Sequence, residues 1–295
     1  MERGLFRIVR AELRRIGRRR SDGRQIHTDA TIVEVYFWGV LHDRSINWAC
    51  QRENWVGVCR RVKLPSQSAM SRRLRTDAVQ RLIDTIERRL RSAPQQMPIV
   101  FMIDGKVMQV GPHSKDPDAT WGRVSGGKGK GYKLHLLMAG DGTMIAHHVA
   151  PLNIDERVIA VILLEKAKCA GYVLADANYD TSRLHDVTIS GGGQLVSPRA
   201  KGRQGKGLGN HYQSPGRLRS IAMLENDAST FGNDLYKERT AIERKFGYLV
   251  STPGLLAALP GWVRTLRRVR MWVQTKLILA DIRTNIKRKT GESAA

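Results

Sequence analysis

Two short apolar runs, residues 99–103 and 172–175, each end in an aspartate, Asp104 and Asp176. Both are too short for a helix and rich in aliphatic residues, so they read as buried strands with an acid at the carboxyl end. Between them, residues 132–138 and 143–151 flank the turn Ala139-Gly140-Asp141-Gly142, a strong hairpin pattern. Residues 155–170 carry a helical pattern with Val158, Val161, Ile162 and Cys169 on one face, interrupted by Glu165. A helix near 182–189 and a strand near 194–197 follow. The order strand, hairpin, helix, strand, helix, strand predicts a mixed sheet flanked by helices, an α/β fold. A right-handed crossover would set the strands of Asp104 and Asp176 side by side and bring both carboxylates out at one sheet edge.

The chain before residue 98 has a different period. Residues 1–25 are a basic arm, with Arg14, Arg15, Arg18, Arg19 and Arg20 clustered, that suits either a DNA backbone or a solvated helix. From Thr28, the residues Ile32, Val33, Tyr36, Phe37, Val40 and Leu41 form one wide apolar helical face. Short helical pieces are expected at 45–51 and 54–62. Pro65 and Ser66 then open a helix bearing Ser68, Ser71, Arg72, Arg73 and Arg75. A Ser- and Arg-rich helix behind several small ones has the character of a helix-turn-helix recognition element, with Arg72 and Arg73 toward DNA. An amphipathic helix over 77–91 and a linker over 92–98 complete this region. The expected organisation is therefore an all-helical DNA-binding region over 1–97, a catalytic domain over 98–290 and a disordered tail over 291–295. A final helix over 263–286 is expected to pack its apolar side on the catalytic core and to present Arg264, Arg267, Arg268 and Arg270 outward.

Fifty Lys and Arg against 27 Asp and Glu leave a net charge of +23, far beyond what solubility requires. Such an excess favours a polyanion through counterion release, and nucleic acid is the commonest one. The three cysteines, Cys50, Cys59 and Cys169, have neither zinc-site spacing nor a pair motif, which fits core thiols in a reducing cytoplasm. The Arg-rich start lacks the apolar run of a signal peptide, and the longest uncharged stretch, 247–263, holds two prolines and three glycines and is no membrane span.

Residues 234–249 predict one amphipathic helix, with Leu235, Ile242, Phe246 and Leu249 near a helical period. Tyr236, Arg239 and Glu243, three and four residues apart, share a side of it. Two or three converging carboxylates need a cation, and oxygen-only ligation suits Mg²⁺ or Mn²⁺, one or two ions, rather than zinc. On a basic protein this points to displacement at a phosphodiester. Lys106, Lys128, Lys130 and Lys133 surround the first acid and a Gly-rich loop, where Trp121 is placed either to stack on a base or to anchor packing.

Asp104, the hairpin beginning GYKLHLL, Asp176 in LADANYD and Glu243 in YKERTAIERKFGYL together resemble the DDE triad of bacterial insertion-sequence transposases, of the insertion-sequence four/five type, with a ribonuclease-H-like core. The segment IDGKVMQVGPHSKDPDATWG is similar to the region after the first acid in that family. The resemblance implies that Asp104, Asp176 and Glu243 hold two Mg²⁺ or Mn²⁺ ions, that DNA is cut at terminal inverted repeats, and that the freed 3′-hydroxyl attacks target DNA. Tyr236 and Arg239 match the family's Tyr-Arg-Glu-Lys signature, in which the Arg neutralises a phosphate. The signature Lys is Val250 here, with Lys245 nearby as another positive charge for DNA, and Asn178 stands where a Gly is usual. Residues 199–233, Gly-rich and basic, are expected to be a flexible DNA-contacting loop. Partners implied are double-stranded DNA and a second copy of the chain on DNA, in a bacterial cytoplasm at the nucleoid. Two other readings remain open at this point: a catalytically inactive transposase-derived DNA-binding protein, and a basic RNA-associated protein whose acids are structural.

Overall fold

The structure, a computed structural model, describes residues 2–16, 26–55, 57, 63–94, 96–200, 202, 206–226, 229–252, 255–256 and 258–291. The chain divides into two compact units: Ala93–Tyr248, and Met1–Ser92 joined by Leu249–Ala295.

In the second of these the chain opens with α1 (Glu2–Ile16), whose Leu5, Phe6, Val9 and Leu13 are buried at helical spacing. The basic arm of the sequence reading is thus a packed amphipathic helix through Ile16, while Arg18, Arg19 and Arg20 lie outside the described residues. Phe6 meets Trp38 and Trp55 edge-on at 4.9 and 5.8 Å, so aromatic packing, not charge, sets its position. Thr28 caps α2 (Asp29–Leu41), which is buried from Thr31 to Leu41. Ser45 caps α3 (Ile46–Ala49) and Ser66 caps α4 (Gln67–Arg73), each hydroxyl accepting from a backbone N–H three residues on. A 3-10 turn, Arg52–Trp55, takes in the first two residues of the helix expected over 54–62, of which residues 56 and 58–62 lie outside the described residues. Thr76 caps α5 (Asp77–Leu90), which buries Val79, Ile83 and Ile86.

The sheet unit comprises β1 (Val100–Gln109), β2 (Thr120–Val124), β3 (Gly127–Ala139), β4 (Met144–Pro151), α6 (Glu156–Ala167), β5 (Tyr172–Leu174), α7 (Ser182–Ser190), β6 (Gln194–Val196), α8 (Pro215–Ile221), α9 (Phe231–Lys237) and α10 (Thr240–Ser251). The strands run in the order β2-β3-β1-β5-β6, with β4 also paired to β3. β3 is antiparallel to β1, β2 and β4, whereas β1, β5 and β6 are mutually parallel. This is the mixed sheet expected from the element order, with two differences. The Gly-rich segment read as an irregular loop is the first half of β3, and residues 120–124 form a strand against it. Five residues of β2 alternate between half-buried and exposed, too shallow a hydrophobic pattern to mark a strand before its partner is known.

One core lies under α6, where Ile159, Ala160, Leu163 and Leu164 pack with Phe101, Ile103, Leu137, Ala139, Val173 and Leu195. Val161 and Cys169 are buried as expected, but Val158 and Ile162 are exposed. Apolar residues cover most of the circumference of α6, so periodicity does not determine which stripe faces the sheet. The segment expected to be a flexible loop contains α8 and a π-type turn, Ala222–Asn226, and Arg199 is paired with Glu225 across it. Residues 201, 203–205 and 227–228 of that segment lie outside the described residues.

The last helix, α11 (Leu266–Thr290), was expected against the sheet, but it packs on α5, α2 and α1 in the helical unit. Trp272, Val273, Leu277, Ile278 and Ile282 supply its apolar face. Gln274 accepts from Gln80 at 2.9 Å and donates to Asp84 and Glu87 at 2.9 and 2.6 Å, and these polar contacts fix the register of α11 on α5.

Gly131 shows how closely β1 and β3 approach, because a Cβ there would stand 2.2 Å from the Met108 carbonyl oxygen. Gly131→Ala is expected to cost more than about 2 kcal/mol by forcing the strands apart. Urea denaturation followed by circular dichroism would measure it, and an unchanged midpoint would contradict this account of the pairing.

Candidate functional site

β1 and β5 pair in parallel through Val100↔Tyr172, Phe101↔Val173 and Met102↔Leu174, where β5 ends. Two residues beyond the last pair stand Asp104, still within β1, and Asp176, in the turn that follows β5, close enough for the charge of Asp176 to act on the Asp104 carboxyl. Asp104 is not at the end of its strand, as the sequence suggested. β1 runs on to Gln109 against β3 after its other neighbour has stopped, which opens one side of Asp104. Each acid is turned by a local backbone contact. Gly105 N–H donates to Asp104 Oδ1 at 2.7 Å, and Asn178 N–H donates to Asp176 Oδ1 at 2.8 Å in a short 3-10 turn that Asp176 caps. Behind that turn, Ser197 Oγ donates to the Asp176 carbonyl at 2.6 Å, and Arg217 of α8 holds the buried Asp180 through two bonds of 2.7 Å.

The predicted helix over 234–249 is two helices, α9 and α10, joined at Glu238 and Arg239. The bonds across the joint close three residues back, Arg239 N to Tyr236 O at 3.1 Å and Ile242 N to Arg239 O at 3.1 Å, a tighter winding than the α-helix. Arg239 sits at this joint. Its guanidinium donates to Glu243 Oε1 at 2.7 Å, approaches Asp104 Oδ2 to 3.9 Å and lies 5.9 Å from the centre of the Tyr236 ring. Arg239 therefore joins the first acid to the glutamate, and Tyr236, Arg239 and Glu243 stand together as their spacing predicted.

The charges make the site costly. Burial pushes the Asp104 carboxyl up to about 6, with the negative charges of Asp176 and Glu156 adding to the effect and the Gly105 N–H and Arg239 opposing it. Asp176 is raised as well, first by burial and then by Glu156. Two carboxylates with raised affinity for protons, opposed by the Arg239 guanidinium, form a centre of negative charge, and an all-oxygen set of this kind fits a hard divalent cation such as Mg²⁺ or Mn²⁺. Glu243 does not complete a cluster with them here: its side chain is 56% exposed and turned to Arg239. Among the described residues, no three His, Cys, Asp or Glu side chains converge as a metal-holding group.

Over residues 95–281 the chain matches the family described as the transposase DDE domain. The chain belongs to that family. No curated protein matches it. The mixed sheet with its flanking helices is consistent with the ribonuclease-H-like core of a DDE transposase domain, beside an N-terminal helical region.

The residues expected to touch DNA in this transposase differ in surroundings. Arg72 is exposed on α4, whereas Arg73 donates to Asp29 Oδ1 at 2.5 Å and to the His27 carbonyl at 3.0 Å, joining α4 to the start of α2. Lys245 is half-buried with its ammonium 5.8 Å from the Tyr248 ring centre. Lys133 is 11% exposed and its ammonium is held by Glu156. Glu156 escaped the sequence reading. An acid in the first turn of a helix is ordinarily explained by the helix dipole, and only its position directly after the hairpin, at the same edge as Asp104, marks it out.

A carboxyl whose pKa is raised on folding loses stability as pH climbs from its unfolded value, near 4, to its folded value, near 6. Asp104→Asn is accordingly expected to stabilise the metal-free protein by about 1–3 kcal/mol at pH 8 and to lose that advantage below about pH 4. Denaturation in EDTA at the two pH values checks this, and a destabilised variant at pH 8 would refute it.

Proposed function

We propose that this DDE transposase, of the insertion-sequence four/five type and of bacterial origin, cuts DNA at the terminal inverted repeats of its element and joins the freed 3′-hydroxyl to target DNA. The observation that carries the reading is the pair Asp104 and Asp176 just beyond the parallel pairing of β1 with β5, with Arg239 reaching from the α9–α10 joint to Asp104 on one side and to Glu243 on the other.

Asp104, Asp176 and Glu243 are the residues that would hold Mg²⁺ or Mn²⁺, most economically two ions. Such ions, when bound, lower the pKa of an attacking water or 3′-hydroxyl and stabilise charge on the leaving oxygen. The chain's own contribution is placement. Asp104 and Asp176 are each oriented by a neighbouring backbone N–H, whereas Glu243 is exposed on α10 and bonded to Arg239. Arg239 is the cation available to a non-bridging phosphate oxygen, and Tyr236 beside it limits its freedom. In each step one P–O bond forms to the attacking oxygen as another breaks, so the number of phosphodiesters is conserved in strand transfer. The helical unit, with Arg72 exposed on α4 and Arg73 bracing that helix, serves as the DNA-binding region. Lys245 and the general positive charge of +23 add non-specific grip. Two element ends must be joined, which favours a homodimer on DNA, and the substrate places the protein at the nucleoid in the cytoplasm. Among the described residues no helix is long and apolar enough to cross a membrane.

A second reading, a transposase-derived DNA-binding protein without catalysis, rests on Val250: an exposed aliphatic side chain stands where the family signature has Lys. The third possibility, an RNA-associated protein with structural acids, has no support in the energetically costly pairing of Asp104 and Asp176.

The test is Mg²⁺- or Mn²⁺-dependent nicking of a plasmid carrying the DNA that flanks the gene. Wild type should leave 3′-hydroxyls at the element ends. Asp176→Asn and Glu243→Gln should cut more than about a hundredfold more slowly, exceeding the loss usual for an outer-shell change. Equal cutting by wild type and Glu243→Gln would remove Glu243 from the catalytic set, and specific binding without cutting by any form would favour the inactive reading. In the same preparation, Arg72→Ala should weaken binding across sequences and reduce the salt slope by about one, which gel-shift titrations at several salt concentrations would measure.

A further inference from the structure

We infer that Glu156 is a positioning residue for the two aspartates, holding their backbones at a set spacing from the opposite face of the sheet. The inference rests on the proposed metal-dependent reaction and deepens it.

Glu156 is the first residue of α6, directly behind the Asp155 cap. Its two oxygens have separate tasks. Oε1 accepts from the Lys133 ammonium, and Oε2 accepts from the Tyr179 hydroxyl at 3.1 Å. Lys133 projects from β3 beside Gly105: a Cβ on Gly105 would stand 2.8 Å from Lys133 Cδ and 3.5 Å from Glu156 Oε2. The Lys133–Glu156 pair thus lies against the very peptide whose N–H orients Asp104. Tyr179 is buried at the end of the turn that Asp176 opens, and its own N–H donates to the Asp176 carbonyl at 3.1 Å. One carboxylate consequently connects the segment bearing the first aspartate with the segment bearing the second.

The arrangement also explains why Lys133, expected at DNA, is turned inward. Without Lys133, the Glu156 charge would add an unpaired third carboxylate to a site that already strains to hold two. With it, Glu156 can anchor both segments at little net charge. The ion pair is too far within the protein to be a solvated surface pair, since the Lys133 and Glu156 side chains are 11% and 24% exposed.

Mn²⁺ titration of the intact protein, read by electron paramagnetic resonance without DNA, tests the inference alongside cleavage kinetics. Tyr179→Phe removes one tie and leaves every charge in place; Glu156→Gln keeps the size but cannot accept from both partners. Each is expected to weaken Mn²⁺ binding about tenfold and to lower kcat with little change in KM for DNA. Glu156→Asp, with a shorter reach, should recover only part of the loss. Weakened binding in Glu156→Gln with wild-type binding in Tyr179→Phe would mean that Glu156 acts through charge alone, and would overturn the positioning role. Wild-type binding and cutting by both variants would overturn it too, while leaving the proposed reaction standing. A wild-type protein that neither binds Mn²⁺ nor cuts DNA would overturn both. If Glu156→Gln does not fold, Tyr179→Phe alone decides.

Discussion

The sheet unit is built around an electrostatic liability. Asp104 and Asp176 are set just beyond the pairing of two neighbouring strands, partly buried, where burial raises both carboxyls and the charge of Asp176 raises Asp104 further. A protein selected for stability alone would place an apolar residue at either position, as it does at Met102 and Leu174 two residues earlier. The surroundings limit the cost without removing it: a backbone N–H for each acid and one guanidinium from the α9–α10 joint. What remains is local negative charge in a chain of the transposase DDE domain family, which is the ground for the metal-dependent reaction proposed above.

Rigid elements deliver these groups in different ways. The parallel pairing of β1 with β5 sets the distance between the aspartates, and the early end of β5 exposes them. Arg239 and Glu243 come from helices and depend on the tightened winding at the joint to share a direction. Glu243 is consequently the most exposed of the three acids, with the Arg239 side chain as its partner. The insertion before α9 follows a similar logic. Arg217 of α8 reaches Asp180, and Ser220 donates to the Ser197 carbonyl at 3.1 Å, so the segment braces the Asp176 turn.

Much of this was legible because it is local. Pro65 and Ser66 announced the start of α4, which the Ser66 hydroxyl caps. The Gly140-Asp141-Gly142 turn announced the β3–β4 hairpin, and two aliphatic runs ending in Asp announced the adjacent parallel strands. The errors lie where pattern was ambiguous or the partner distant. Residues 120–124 became a strand only because β3 is long enough to receive them. α6 is apolar on nearly every side, so its buried stripe was decided by the sheet beneath it. α11 carries an apolar face that suits any apolar surface, and the helices α1, α2 and α5 supplied it.

By itself the sequence determined the alternation of strands and helices, the large positive charge, and the placing of Tyr236, Arg239 and Glu243 on one side of a helical segment, because periodicity, net charge and i, i+4 spacing are properties of neighbouring residues. Tertiary structure alone decided that Lys133 serves Glu156, that Arg73 braces α4 while Arg72 faces solvent, and that Tyr179 links α6 to the Asp176 turn. A charged side chain's role depends on which opposite charge folding brings within about 4 Å, where Coulomb attraction exceeds the competition from water. For these pairs the partners are 44 and 23 residues away, beyond the reach of any local pattern.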